Sequence, residues 1–257
     1  LLKKVGLALC GGAVRALAHI GVLKVFEREK IEIHSICGTS MGAIIGGLHA
    51  CGVKPGEMES IIDEISIIRN INLGIGQKGL LGDKVYGYLL QILEEKACIQ
   101  QIEQLMIPFK SVSVDLISGQ QVIHDQGSLL LALKASCAIP GILPPVRWEG
   151  RFLVDGGVLN NMPVDLLDRT MVDVRIAVDV NQATMEKEPR NLPELLFRTY
   201  SVMINSLRTA TLPYADIIIQ PDVHGIFALD IRKMKAAIRA GERAAETQLS
   251  NIINLIS

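Results

Sequence analysis

One serine stands out among the residues able to do chemistry. Gly38-Thr39-Ser40-Met41-Gly42 follows the apolar, β-branched run Ile33-His34-Ser35-Ile36-Cys37 and precedes Ala43-Ile44-Ile45-Gly46-Gly47-Leu48-His49-Ala50. A strand, a G-x-S-x-G turn and a helix, in that order, form a nucleophile elbow, which lifts a serine hydroxyl to the end of a sheet. The helix that starts there aims unpaired N–H groups and the positive end of its dipole at the hydroxyl. The plain alternative is a tight glycine turn with an incidental serine, and the motif by itself does not choose between them.

An activated serine also needs an oxyanion site and a base. Gly11 and Gly12 follow the apolar run Val5–Cys10 and lead into a helical stretch. Lacking Cβ atoms, they let backbone N–H groups approach a substrate oxygen. The ends of two adjacent parallel strands lie on one edge, so this pair and Ser40 would face a common crevice. A nucleotide phosphate loop is the competing reading, but Gly11-Gly12-Ala13-Val14-Arg15 is not G-x-G-x-x-G and no G-K-[ST] occurs. For the base, His224 follows Asp216 and Asp222, so a serine–acid–histidine order can be written. Ser40 comes too early for that arrangement, and Asp222-Val223-His224-Gly225 reads as a polar loop. Asp155-Gly156-Gly157 is the better candidate, at a strand end where an aspartate can face a cleft. An ordinary Asp-Gly turn explains the same residues.

The elements that must position these residues follow from periodicity and punctuation. Val5–Cys10, a helix over Ala13–Glu29, Ile33–Gly38 and the helix after Ser40 make a βαβ unit with a parallel sheet and right-handed crossover. Pro55 starts a helix to about Ile65. Leu73–Gly82 carries four glycines in ten residues and reads as a mobile loop, with Asp83 capping a helix to about Glu95. Phe109–Leu116 and Gln121–His124 read as strands around a turn, and Ser128 caps a short helix to Ala135. A rigid proline loop spans Ile139–Pro145, before a short strand Arg151–Val154. Val174–Val180 is β-branched enough to be buried on both faces. Leu192 to about Leu212 is a helix, Asp216–Gln220 a last strand, and Asp230 caps a terminal helix with apolar i, i+3, i+4 spacing that suits packing on the core.

Composition narrows the function classes. The 257 residues carry a formal charge of −1 and 4% aromatics, which argues against a nucleic-acid binder. Five scattered cysteines without a C-x-x-C pair read as a reduced, cytosolic set. The dispersed histidines give no metal-ligand spacing, and no cofactor is implied. Lys3-Lys4 before an apolar run imitates a signal peptide, but Arg15 interrupts it and the run serves better as a strand. The uncharged stretch Ser35–Val53 holds glycines, Thr39, Ser40 and His49, which makes it a poor membrane span. No repeat or linker appears, so one domain over residues 1–257 is the simplest organisation. The chain opens on leucine, so residues upstream of it are not accounted for.

Taken together, four ordered blocks resemble the bacterial patatin-like phospholipases. Leu7 to Ala16 with Leu17 to Leu23 resembles the family's glycine-rich oxyanion block, and Gly38 to Ala43 its nucleophile elbow. Ala135 to Gly141 with Pro144-Pro145 resembles its proline block. Asp155-Gly156-Gly157 with Asn160 to Val164 resembles its D-G-[GA] block, and Ala215-Asp216 extends the similarity across nearly the whole chain. The resemblance implies a three-layer α/β/α sandwich with a mostly parallel central sheet. It implies a Ser–Asp dyad in which Ser40 attacks an ester carbonyl and Asp155 takes its proton. Backbone N–H groups of Gly11, Gly12 and Ala13 would form the oxyanion hole, with Arg15, Gly38, Gly42, Gly156 and Gly157 in support. An aspartate with its ordinary pKa of about 3.9 is a weak base and would need a dry cleft.

Departures from the pattern sit at Ala13 and Ala16, where the family usually carries glycine, and at Cys10. If Ala13 needs a positive φ it costs about 1–2 kcal/mol of strain; in a first helical turn it would be harmless. The implied function is hydrolysis of fatty acyl esters of phospholipids, lysophospholipids or related lipids. In that role the Leu73–Gly82 loop would serve as a lid over an acyl pocket. A thioesterase or acyltransferase with the same dyad is the nearest alternative, and a lipid- or protein-binding module without catalysis is the other. A cytoplasmic location with transient contact to the inner membrane face fits such a substrate, although no basic amphipathic stretch supports strong docking.

Overall fold

The computed structural model of the protein describes residues 2–62, 101–181, 188–189, 192–228 and 230–257. The glycine-rich loop Leu73–Gly82 and the helix expected from Asp83 to Glu95 lie outside the described residues, as does the end of the helix expected from Pro55, which is described over residues 55–62. Among the described residues, eight strands form one mixed sheet. Strands β1 (Val5–Leu9), β2 (Ile33–Thr39), β3 (Phe109–Asp115), β7 (Val174–Val178) and β8 (Ile217–Ile219) are parallel in the order β3-β2-β1-β7-β8. Strands β4 (Gln120–His124), β5 (Val146–Trp148) and β6 (Arg151–Asp155) join antiparallel: β4 and β6 on β3, β5 on β6. The parallel core and the α/β class follow the sequence reading; β5, directly after the proline loop, is not among the expected strands.

Every residue of β1 is buried, and so are Val174, Ile176, Ala177 and Val178 of β7. Successive side chains of a strand point to opposite faces. Both faces of the sheet centre are therefore covered, as in a layered α/β/α fold. Burying one leucine such as Leu7 or Leu9 contributes about 1.5–3 kcal/mol, so these strands hold the core.

Helix α1 (Ala18–Arg28) joins β1 to β2, and α2 (Met41–Ala50) follows β2. The single helix expected over Ala13–Glu29 is in fact a 3-10 turn, Ala13–Leu17, followed by α1. Its start is not helical because Ala13 has φ 48°. Helix α3 (Leu129–Ser136) is capped by Ser128, whose hydroxyl accepts the Leu131 N–H, as expected. Helix α4 is Leu192–Thr211 and α5 is Met234–Ile256. Asp230 caps not α5 itself but the 3-10 turn Ile231–Lys233 before it.

Helix α5 packs along α1, and two glycines set their separation. A Cβ on Gly21 would strike the Ile238 carbonyl and come within 2.6 Å of the Glu242 nitrogen; a Cβ on Gly241 would strike the Ala18 carbonyl. These neighbours are backbone and cannot swing aside. Gly21→Ala is expected to destabilise the fold by about 1–3 kcal/mol, read as a lower denaturation midpoint; an unchanged midpoint would show that the helices can part without cost.

Candidate active site

The register of β3 brings Ser40 and Asp155 together. Strand β4 occupies one edge of β3 over Ser111–Asp115, so β2 and β6 must share the other. Strand β2 runs parallel along it up to the pair Thr39↔Val112. Strand β6 runs the opposite way and ends at Asp155↔Ser113. Two strands thus converge head to head on consecutive residues of β3. Ser40 is the next residue after one, and Asp155 the last residue of the other.

Glycines permit this convergence at two close approaches. A Cβ on Gly156 would strike the Val112 carbonyl of β3, so only glycine lets the end of β6 press onto that edge. A Cβ on Gly42 would strike the Leu9 carbonyl and lie 2.6 Å from that of Cys10, which seats the start of α2 against the end of β1. Gly38 is packed tightly against Ala43 within the same elbow. Ser40 itself has φ 56° and ψ −130°, a strained conformation for a residue with a side chain. Its N–H donates to the Ser136 hydroxyl at 2.9 Å, and the Thr39 hydroxyl donates to the Asn160 carbonyl at 2.9 Å. These two bonds hold the elbow on both sides.

Asp155 is 1% exposed. Its Oδ1 accepts the Gly157 N–H at 2.8 Å and the Tyr200 hydroxyl of α4 at 2.9 Å. Its Oδ2 is buried and has no hydrogen bond of good geometry. Burial pushes the Asp155 carboxyl up to about 6, against the stabilising pull of the Ser40 hydroxyl, the Gly157 N–H and the Tyr200 hydroxyl. The Cys137 thiol is pushed far up by its own burial and by the charge of Asp155.

The glycine turn lies beside the serine, and its backbone groups divide sharply. The Gly11 N–H donates to the Asn161 carbonyl at 3.3 Å, so of the three amides expected to face an oxyanion this one is already spent. Gly12 and Ala13 N–H have no partner among the described residues, and both residues line the cavity at Ser40. The Gly11 carbonyl accepts two side-chain amides, from Asn181 at 2.6 Å and Asn161 at 3.3 Å. In a trans peptide C=O and N–H point in opposite directions. Clamping this carbonyl therefore turns the Gly12 N–H the other way. His19, neutral because burial lowers it to about 4, donates from Nε2 to the Cys10 carbonyl at 2.8 Å and fixes the preceding peptide.

Arg15 is 4% exposed and lines the same cavity, its Nη2 reaching the Asn181 Oδ1 at 3.5 Å. Gly157 faces Tyr200. The serine–acid–histidine alternative does not assemble. His224 is exposed and paired with Asp222 at 2.8 Å, and does not line the cavity. Asp216 precedes β8, at the opposite end of the parallel strands from Ser40, and is held by Arg169 at 2.7 Å. Sequence reasoning missed Ser136, Asn181 and Tyr200. A faint signal existed for the last: Tyr200, Ile204 and Arg208 recur at i, i+4 and i+8 on one face of α4.

Ala13 is in the left-handed region, which glycine reaches without the Cβ clash that alanine suffers. Ala13→Gly is accordingly expected to raise stability by up to about 1 kcal/mol, measured by chemical denaturation, where glycine for alanine ordinarily lowers it. A fall in stability would mean that this conformation costs alanine nothing.

Comparison with known proteins identifies the family. The family description Patatin-like phospholipase matches residues 7–168. The NTE family protein Rv1063c of Mycobacterium tuberculosis is 36% identical over 181 residues, covering 69% of this chain and 49% of that protein. Rv2565 of the same organism is 30% identical over 280 residues, covering 96% of this chain and 46% of that one. The chain therefore spans about half the length of these relatives. Lysophospholipase NTE1 of Candida albicans is 29% identical over 203 residues, 76% of this chain and 14% of that protein. Among solved structures, VipD from Legionella pneumophila superposes with a TM-score of 0.54 at 16% identity, over 97% of this chain and 67% of that one, a likeness of fold. With a family match over most of its length and relatives of this identity, the chain belongs to the patatin-like phospholipase family.

Proposed function

We propose that this protein is a serine esterase that hydrolyses fatty acyl esters of phospholipids, lysophospholipids or related lipids. The observation that carries the reading is the buried Asp155, with one oxygen saturated and the other unspent beside Ser40. The Ser40 oxygen attacks the ester carbonyl while its proton passes to Asp155. The tetrahedral oxyanion faces the free N–H groups of Gly12 and Ala13, next to the Arg15 charge. Collapse breaks the ester bond, the departing alcohol takes the proton from Asp155, and an acyl-enzyme remains on Ser40. Water, deprotonated by the same carboxylate, then attacks the acyl carbon and returns the serine. Burial supplies the dry setting that makes this aspartate a stronger base than its free counterpart.

The cavity at Ser40 measures about 20 Å³, room for a water and not for an acyl chain. Ile139 and Ile204 are the apolar side chains of its wall that a chain would displace. Family membership supports the lipid substrate. Contact with a membrane surface is supported by the outer face of α4, where Leu192, Leu195, Val202 and Met203 are exposed. No helix among the described residues is long and apolar enough to cross a membrane. The free thiols Cys10, Cys37, Cys51 and Cys137 support a reducing, cytoplasmic setting.

Hydrolysis of a short-chain p-nitrophenyl ester tests the chemistry. Ser40→Ala and Asp155→Asn are each expected to lose on the order of 10³-fold or more in kcat, and His224→Ala nothing. Equal rates in wild type and both dyad variants would leave a binding module in place of an enzyme, and loss of activity in a folded His224→Ala would defeat the two-residue assignment. Ester against thioester turnover separates the hydrolase from a thioesterase. The base must be ionised, so kcat/KM is expected to fall about tenfold per unit as pH drops below about 6 and to be level above it. A profile still flat two units lower would exclude Asp155 as the base.

A further inference from the structure

We propose that Tyr200 is the positioning residue of the base: its hydroxyl fixes the Asp155 carboxylate so that the unspent oxygen faces Ser40. The inference rests on the Ser40–Asp155 reading above and assigns a role outside the family's sequence blocks.

A carboxylate at the end of a strand can rotate about its last bond. Two hydrogen bonds to the same oxygen remove that freedom here. The Gly157 N–H and the Tyr200 hydroxyl both donate to Oδ1, so turning the group would break both and leave a buried charge poorly paired. Only Oδ2 is left for the serine proton. The protein makes room for this contact: a Cβ at position 157 would strike the Tyr200 hydroxyl, so the second glycine of Asp155-Gly156-Gly157 is the space into which the phenol fits.

The helix that delivers Tyr200 is itself pinned. Two turns on, Arg208 pairs with Asp179, which is fully buried. Asp179 Oδ1 also accepts the Asn181 N–H at 3.0 Å, and the Asn181 side chain clamps the Gly11 carbonyl. Tyr200 and the clamp on the glycine turn therefore share one scaffold. Burial and the neighbouring Asp155 charge hold the phenol well above its usual range, so it remains a donor. The groups facing Asp155 are the Ser40 hydroxyl from the elbow, the Cys137 thiol beyond α3 and Tyr200 from α4, with Arg15 lining the shared cavity. Of these, Tyr200 is the one whose hydroxyl can be removed while its shape is kept.

Tyr200→Phe tests the role. With the short-chain ester, kcat is expected to fall roughly ten-fold with KM held within about two-fold, and the acid limb of kcat/KM to move up by about half to one pH unit, because a donor that favours the charged carboxylate is gone. A purely structural role would not move the limb. Ser206→Ala, at an exposed position of α4, is expected to leave rate and profile unchanged; a shift equal to that of Tyr200→Phe would reduce the effect to a disturbed helix and overturn the assignment. So would an unmoved limb, or a faster Tyr200→Phe enzyme, which would make the tyrosine an obstacle to substrate. Titration of the ¹³C-labelled Asp155 carboxyl by NMR, assigned by its absence in Asp155→Asn, needs no turnover: its midpoint is expected to rise in Tyr200→Phe, and an unchanged midpoint overturns the inference. An Asp155→Asn protein as active as wild type would remove the dyad reading itself, whereas an inactive one beside an unaltered Tyr200→Phe would remove only the role of Tyr200.

Discussion

The whole site hangs on one edge of β3. Backbone pairing of Val112 with Thr39 and of Ser113 with Asp155 sets two strand ends against each other. Neither side chain could be moved independently, because a slip of one residue in either ladder would turn its residue to the opposite face of the sheet. The glycines around the site serve this junction. Gly156 lets β6 reach the backbone of β3, and Gly42 lets α2 start against the end of β1.

Around that junction, several groups are held where each is individually unfavourable. Asp155 is nearly excluded from water, which opposes its charge, and the Gly157 and Tyr200 hydrogen bonds that help offset this both fall on one oxygen. Ser40 and Ala13 hold positive φ angles that cost each about 1–2 kcal/mol. A dense set of buried polar bonds offsets this: Ser136 and Asn160 on the elbow, Asn161, Asn181 and His19 on the glycine turn.

The sequence was most legible where chemistry and local geometry coincide. The elbow, the glycine pair and Asp155-Gly156-Gly157 each combine a strand end with glycines, and the order of strands and helices predicted the parallel core. What stayed hidden depends on contacts between distant segments. No local pattern says that β6 shares an edge with β2, that the Gly11 amide is spent on Asn161, or that a tyrosine in a mostly exposed helix reaches the aspartate. Ala13–Leu17, just after the glycine pair, reads as the start of one long helix because alanine is a strong helix former, while the positive φ at Ala13 makes it a separate 3-10 turn. Strand β5 escaped because prolines mask its short run; its partner β6 follows through a tight turn at Glu149 and Gly150, both at positive φ.

The serine and the aspartate are delivered by different pieces of the chain. The first comes with β1, α1 and β2, neighbours in sequence that can assemble early. The second comes on the β5–β6 hairpin, which must dock back onto β3 with β4 and α3 intervening in the chain. Such non-local pairings form late, because chain entropy is lost before the contacts are gained. A chain with its first parallel strands formed would own the elbow and the glycine turn and still lack Asp155 beside them. Closure of the β6–β3 ladder during refolding is therefore a different quantity from the recovery of helix and sheet seen by circular dichroism.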